Sequence, residues 1–328
     1  MKQLLFCIFL LLLGGCSSNQ PPAVSGQIDE LPAIYPDYTG VTVPQSIAPL
    51  NFAVRTEGKT CAVFTTEGYT FTVYASDGAF SIPNADWNKL LTAAKGKQIE
   101  ISVLTEEKGK WKAFLPFHIR VSEDPVDPYI AYRLIDPGYQ LWNEMGIYQR
   151  KLASFDQEPI LENRLTDNNC INCHSFCMQD PNKMLFHVRA KYGCTVLVDD
   201  DRIKTLDTKT DQTISALVYP SWHPSGKFVQ AETEQRSILF PRVSPDGKYL
   251  LCTTTSYGTF PIWHKDADLC MFDLSTGTQV PTEEANSPDT DSYHSWSSNS
   301  KWVVFSSRRL DGLYTRPFIA HVGEGGIL

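Results

Sequence analysis

Hydrophobic and polar positions change their spacing several times along this chain, and each change marks an expected element. An unbroken apolar run from Leu4 to Leu13 comes first. At about ten residues it is half the length of a membrane-spanning helix. Residues 16–46 show no periodicity and are rich in Pro, Ser and Gly, the composition of a tether. From residue 47 to 124 apolar and polar residues alternate, as in TCAVFTTEGYTFTVYAS, KQIEISVLTEE and WKAFLPFHIRVS. A period of two turns one face of each strand to a core. Lys108 and Gly109 supply the turn between the last two runs. One interruption, NADWNKLLTAAKG, predicts a short helix with Asn84 as its cap and Gly96 at its end. The stretch as a whole predicts an immunoglobulin-like β-sandwich.

Between residues 125 and 191 the side chains become longer and more aromatic. Tyr139, Trp142, Met145 and Tyr148 recur at three-residue steps in GYQLWNEMGIYQRKL, which predicts an amphipathic helix and a helical segment leading into the motif discussed below. From residue 192 to 328 the pattern becomes short strands broken by a recurring turn. It reads WHPSGKFVQAE at Trp222, RVSPDGKYLLCTT at Arg242 and SWSSNSKWVVFSS at Ser295. Pro fixes φ, Asp or Ser bonds back to the backbone, and Gly accepts positive φ, so each copy reads as a hairpin. Repeated hairpins build propeller blades. The first two copies lie much closer together than the ~40–50 residues of a propeller repeat, and the remaining length holds roughly three blades. The expected fold class is therefore mainly β: a sandwich, a short helical segment and an incomplete propeller.

Composition and the N-terminus set the compartment. Lys2, the apolar run and the small pair Gly14–Gly15 before Cys16 have the layout of a secretory signal covering residues 1–15. LGGC resembles a bacterial lipobox, which makes Cys16 the expected lipid-attachment residue and a membrane-anchored periplasmic lipoprotein the expected product. A formal net charge of −8 argues against nucleic acid as a partner.

Nine cysteines are present. Cys7 falls in the signal and Cys16 takes the lipid. Cys61, Cys252 and Cys270 lie in strand-like apolar runs and read as small buried hydrophobes; Cys177 and Cys194 complete the set. Cys170, Ile171, Asn172, Cys173 and His174 spell CxxCH. Two thiols at this spacing can add across the vinyl groups of a haem, and the following imidazole can ligate its iron. A thiol–disulfide oxidoreductase would place CxxC between a strand and a helix, whereas LENRLTDNNC is polar. A zinc site would need a fourth ligand beside Cys177. The expected cofactor is thus one covalent haem c on Cys170, Cys173 and His174. For the distal iron position Met184 ranks first and His187 second, with Met178, Met145, His118, His223, His264 and His294 as further thioether or imidazole groups. No GxSxG, HExxH or phosphate-binding loop occurs, so the chain reads as an electron carrier or binding protein rather than an enzyme.

The segment PYIAYRLIDPGYQLWNEMGIYQR, then NNCINCHSF and DPNKMLFHVR, is similar to a family of bacterial periplasmic lipoproteins that join one c-type haem motif to a TolB-like propeller of PD40-type repeats. That resemblance implies haem at Cys170, Cys173 and His174, a propeller platform, and periplasmic electron transfer to a redox or envelope partner. The other function it leaves open is an envelope interaction or assembly protein whose haem is structural or sensory.

Overall fold

The computed structural model describes residues 20–56, 58–135, 144–207, 222, 236–258 and 260–328. Cys16, the signal segment, Tyr139, Trp142, His223 and most of the first turn copy lie outside them. By internal contacts the chain divides into two compact units.

The first unit comprises residues up to Gly40 together with Leu50–Ala94 and Gln98–Ile119. Up to residue 121 the chain forms, in order, β1 (Val24–Ile28), β2 (Ile34–Tyr35), β3 (Thr42–Val43), β4 (Phe52–Val54), β5 (Thr60–Thr66), β6 (Tyr69–Ala75), β7 (Ala79–Phe80), α1 (Asn84–Ala93), β8 (Gln98–Glu107), β9 (Lys110–Phe114) and β10 (Phe117–Val121), of which β3 and the end of β10 fall in the second unit. β5 pairs with both β6 and β8, and β8 continues to β9 through a turn in which Lys108 and Gly109 both have positive φ. Within the stretch read as a tether, β1 pairs in parallel with β9. A second small sheet runs β2-β4-β7. Alternation sends Phe64, Phe71, Ile101 and Val103 inward, where Phe52 and Trp87 meet Phe64 edge to face and Phe80 and Phe117 in turn meet Phe52, tilted and edge to face. Each such buried side chain contributes about 1.5–3 kcal/mol. α1 is the only α-helix among the described residues. It starts where expected, but Asn84 makes no side-chain cap because Pro83 holds the capping position.

The second unit comprises Val41–Pro49, Lys95–Lys97 and Arg120–Leu328. Beyond β10 it contains four successive antiparallel meanders. The first is β11 (Tyr129–Ile135), β12 (Met145–Lys151) and β13 (Gln157–Glu162). The second is β14 (Ile171–Phe176), β15 (Lys183–Val188), β16 (Cys194–Asp199) and β17 (Arg202–Leu206). The third is β18 (Ser237–Val243), β19 (Tyr249–Thr255), β20 (Asp268–Asp273) and β21 (Gln279–Val280). The fourth is β22 (Asp291–Trp296), β23 (Trp302–Ser307) and β24 (Arg316–His321).

Two expectations fail here. Met145 and Tyr148 do not lie on a helix: Met145–Lys151 is a strand whose Met145 and Ile147 are buried two residues apart. Gly146 lies between them, and a glycine in a helix interior costs ~0.5–1 kcal/mol. The motif is not carried by a helical segment either, because Ile171–Phe176 is a strand.

Adjacent meanders share cores. Met145, Ile147, Ile171, Met184, Phe186 and Val188 join the first two, and Leu251, Leu269, Met271, Trp296, Val303 and Phe305 join the last two. The unit's beginning is bonded to its end. Trp302 Nε1–H and Asn299 Nδ2–H donate to the Pro125 carbonyl at 2.9 and 2.8 Å, Ser298 donates to Asp127, and His321 Nε2 lies 2.7 Å from Asp124 Oδ2.

Two of the sequence's turn copies are superposable in their bonding. Ser244 Oγ donates to Asp246 and accepts from Tyr249 N, Lys248 N donates to Asp246, and Gly247 N donates to the Ser244 carbonyl with φ +75°. Ser297, Asn299, Ser300, Lys301 and Trp302 repeat every one of these bonds.

Candidate functional site

The Cys170–His174 segment enters β14, the first and outermost strand of its meander. Ile171 faces Val188 and Asn172 faces His187, after which the register slips and resumes at Ser175 opposite Leu185. Cys173 and His174 therefore share one position opposite Phe186, a β-bulge with Cys173 at φ +57°. A bulge kinks the strand and re-aims its side chains.

Both motif thiols meet on one side chain. Cys173 Sγ–H donates to Asn172 Oδ1 at 2.8 Å, and Asn172 Nδ2–H lies 3.7 Å from Cys170 Sγ. Asn172 is itself buried, and neither cysteine is in a disulfide. His174 Nε2–H points to the Ala131 carbonyl of β11 at 3.4 Å, a long bond, and its ring meets Phe176 edge to face at 6.3 Å. Burial pushes its pKa down to about 4, with Arg133 and Arg242 adding to the effect and the Ala131 bond opposing it. The imidazole is therefore neutral at pH 7, the form that can ligate a metal.

The distal candidates lie on opposite faces of β15. Met184 is buried in the apolar cluster that Cys170 also packs against. His187 faces the other way, bonds Thr195 Oγ1 at 3.2 Å and has its pKa lowered by burial. Met178 is exposed at positive φ, Met145 is core, His118 faces Glu100, and His264 stacks on Tyr257. Cys61 is fully buried, its thiol pushed up to about 12 by burial.

The bulge is not peculiar to the motif. β18 slips between Leu239 and Arg242 with Phe240 at φ +54°, and β22 slips between Ser292 and Ser295 with Tyr293 at φ +50°. Each bulge lies four residues before the serine, or here Cys177, that opens the following turn. The run Cys173-His174-Ser175-Phe176-Cys177 thus occupies the place of Tyr293-His294-Ser295-Trp296-Ser297. His294 is 3 % exposed and lies 3.0 Å from the Leu251 carbonyl through Nε2 and 3.4 Å from Thr253 through Nδ1. Burial, helped by Arg242, pushes its pKa down to about 3. Trp222 carries the correspondence further: its Nε1–H donates to the Ser175 carbonyl at 3.1 Å, as Trp296 does to the equivalent Arg242 carbonyl at 3.1 Å. Asn172 and the bulge were invisible to motif spacing. The shared HS(F/W) pattern was the signal that could have revealed the correspondence.

Among the described residues no group of three or more His, Cys, Asp and Glu side chains is arranged to hold a metal ion. No family model matches the chain, and no curated protein matches it. Among solved structures, the GH74 enzyme of Niastella koreensis is similar at 10% identity and TM-score 0.22, with 86% of this chain and 36% of that one covered. A 1.5-MDa bacterial ice-binding adhesin is similar at 10% identity and TM-score 0.22, with 90% and 97% covered. The tricorn protease is similar at 12% identity and TM-score 0.24, with 85% and 30% covered. This chain spans about a third of the first of these. Likenesses this distant carry no argument about fold or activity.

Proposed function

We propose that this chain is an exported lipoprotein, anchored through Cys16, that carries one c-type haem on Cys170, Cys173 and His174 and serves periplasmic electron transfer. One observation carries the reading. Three meanders share the same bulged first strand, but only β14 places a thiol, Cys173, at the position where the counterparts have Phe240 and Tyr293, with a second thiol, Cys170, just before the strand. The donor set fits: two unbridged thiols flank one amide, and a neutral imidazole follows. A bound haem would supply one-electron chemistry. This chain's residues would hold it by two thioethers and shield it with Phe176 and the apolar cluster around Met184. His174 Nε2 would exchange its weak Ala131 bond for iron. Met184 is favoured over His187 as distal ligand because it shares the cluster with Cys170. The immunoglobulin-like reading of the first unit and the TolB-like propeller reading of the four meanders belong to the same proposal, the meanders acting as a docking platform for a redox or envelope partner.

A second reading is favoured by the repeated bulge itself. His294 fills the place of His174 in a purely structural role, which suits an interaction or assembly protein whose haem is structural or sensory. A reversible midpoint potential with rapid exchange to a periplasmic donor separates the first reading from the second.

The test is expression with a cytochrome c maturation system, followed by a pyridine haemochrome spectrum and intact mass. Cys170→Ser and Cys173→Ser should each weaken or abolish covalent haem retention, and Cys177→Ser should leave it intact. A mature chain with the mass of lipidated polypeptide alone and no Soret band refutes the proposal.

A further inference from the structure

Cys252 and Cys270 sit directly opposite each other in the antiparallel pair β19–β20. Cys252 is 0% exposed and Cys270 6%. Neither is bridged, and Cys252 Sγ–H donates to the Cys270 carbonyl at 3.4 Å. Directly opposed residues of an antiparallel ladder have Cα atoms about 4.5–5.5 Å apart. A disulfide needs about 4.4–6.8 Å between Cα atoms, a range that this pairing falls within, which leaves only the approach of the two Cβ atoms to be made. Their neighbours on the ladder, Leu251↔Met271 and Thr253↔Leu269, put Leu251, Leu269 and Met271 into the core shared with the fourth meander. The two thiols alternate with those residues and so project together from the other face of the sheet.

We propose that Cys252 and Cys270 form a redox-active dithiol that closes to a cross-strand disulfide in an oxidising compartment. The oxidant is a disulfide, either a small-molecule disulfide or an oxidised dithiol protein. The Cys270 thiolate attacks one oxidant sulfur, expelling the other as a thiol after protonation. Cys252 then attacks the mixed disulfide, releasing the second oxidant thiol. One S–S bond forms as one is broken, and two electrons and two protons pass from the pair to the oxidant. The division of roles follows from exposure, since Cys270 alone of the two reaches solvent, while contact with Cys270 and burial push the Cys252 pKa up and keep that thiol protonated until the second step. Directly opposed Cβ atoms lie about 4.5–5.5 Å apart, wider than the about 3.5–4.5 Å of a disulfide. Closure must therefore draw the strands together, which makes the bond easier to reduce than an unstrained one.

The pair lies in a different sheet from Cys170, and the test is made independent of haem by using the full chain with Cys170→Ser and Cys173→Ser. The protein is equilibrated with glutathione disulfide, denatured in N-ethylmaleimide without reductant and digested with trypsin. The expected product is the Tyr249–Lys265 peptide linked to the Asp266–Lys301 peptide, with complete loss of both as separately alkylated species and their recovery after dithiothreitol. Cys252→Ala and Cys270→Ala should each abolish the linked species, while Cys61→Ala should leave it. Full alkylation of both cysteines after oxidation, or linkage of either to Cys61, Cys177 or Cys194, overturns the proposal. Far-UV circular dichroism of each alanine variant is recorded alongside, so that loss of the linked species is separated from loss of the sheet. The unsubstituted pair decides the result in any case.

Discussion

His294 gives the sharpest quantitative prediction. It is buried between β19 and β22, and its pKa is pushed down to about 3, against about 6.5 in an unfolded chain. The unfolded state therefore binds the proton first. The neutral imidazole leaves stability intact above about pH 6.5, and stability is lost as the pH falls toward 3. Between about pH 7.5 and about pH 5 the linkage relation gives a loss of about 2 kcal/mol from this one group. His174, held at about 4, adds a similar loss in the haem-free chain. The perturbation is His294→Gln, whose amide can still face the Leu251 carbonyl. At neutral pH the variant should lose about 1–3 kcal/mol, from imperfect replacement of a buried hydrogen-bonded ring. Its further loss on acidification should be about 2 kcal/mol smaller than that of the unsubstituted chain. Urea unfolding at the two pH values, followed by tryptophan fluorescence, supplies both differences. Carboxylates titrate equally in both proteins and cancel. Equal acid sensitivity of the two proteins would refute the argument, since it would mean that His294 binds its proton in the folded state without penalty.

Two further substitutions test the frame of each unit. Asp291 is 0% exposed and accepts from Arg309 Nη2 at 2.6 Å and from Ser287 N and Oγ at 2.6 and 2.8 Å. Asp291→Asn should cost about 3 kcal/mol by stranding the guanidinium, read from the urea midpoint; a loss below about 1 kcal/mol would show that solvent compensates the arginine. In the first unit Gly78 has φ +78°, and a Cβ there would lie 2.5 Å from the Val54 carbonyl oxygen. Gly78→Ala should destabilise by about 2 kcal/mol or more, an outcome checked by thermal unfolding; an unchanged melting temperature would show that the loop relaxes freely.

Much of the molecule was legible in the residue pattern because the cause was local. Alternation announced the strands from Thr60 to Val121, the Lys108–Gly109 turn follows from the residues that occupy it, and α1 follows from the spacing of Trp87, Leu90 and Leu91. The SPDG and SSNS turns were also readable, since Ser, Asp, Asn and Gly bond within their own few residues. Where the sequence misled, the deciding contact came from far along the chain. Met145 to Tyr148 has helical spacing, yet pairing with β11 on one side and β13 on the other makes it a central strand, whose ladders take up the backbone groups that a lone helix would bond within itself.

The CxxCH string shows the division most clearly. Its residue types were plain from the sequence, since reactivity resides in the atoms of thiols and an imidazole. That Cys173 and His174 share a bulge, that Asn172 joins the thiols, and that Tyr293 and His294 hold the same place two meanders later were fixed only by ladder register. The same is true of Cys252 and Cys270, which in sequence are two hydrophobic residues in two apolar runs. Register depends on which strands find each other across a shared core, and no window of residues read along the chain contains that information.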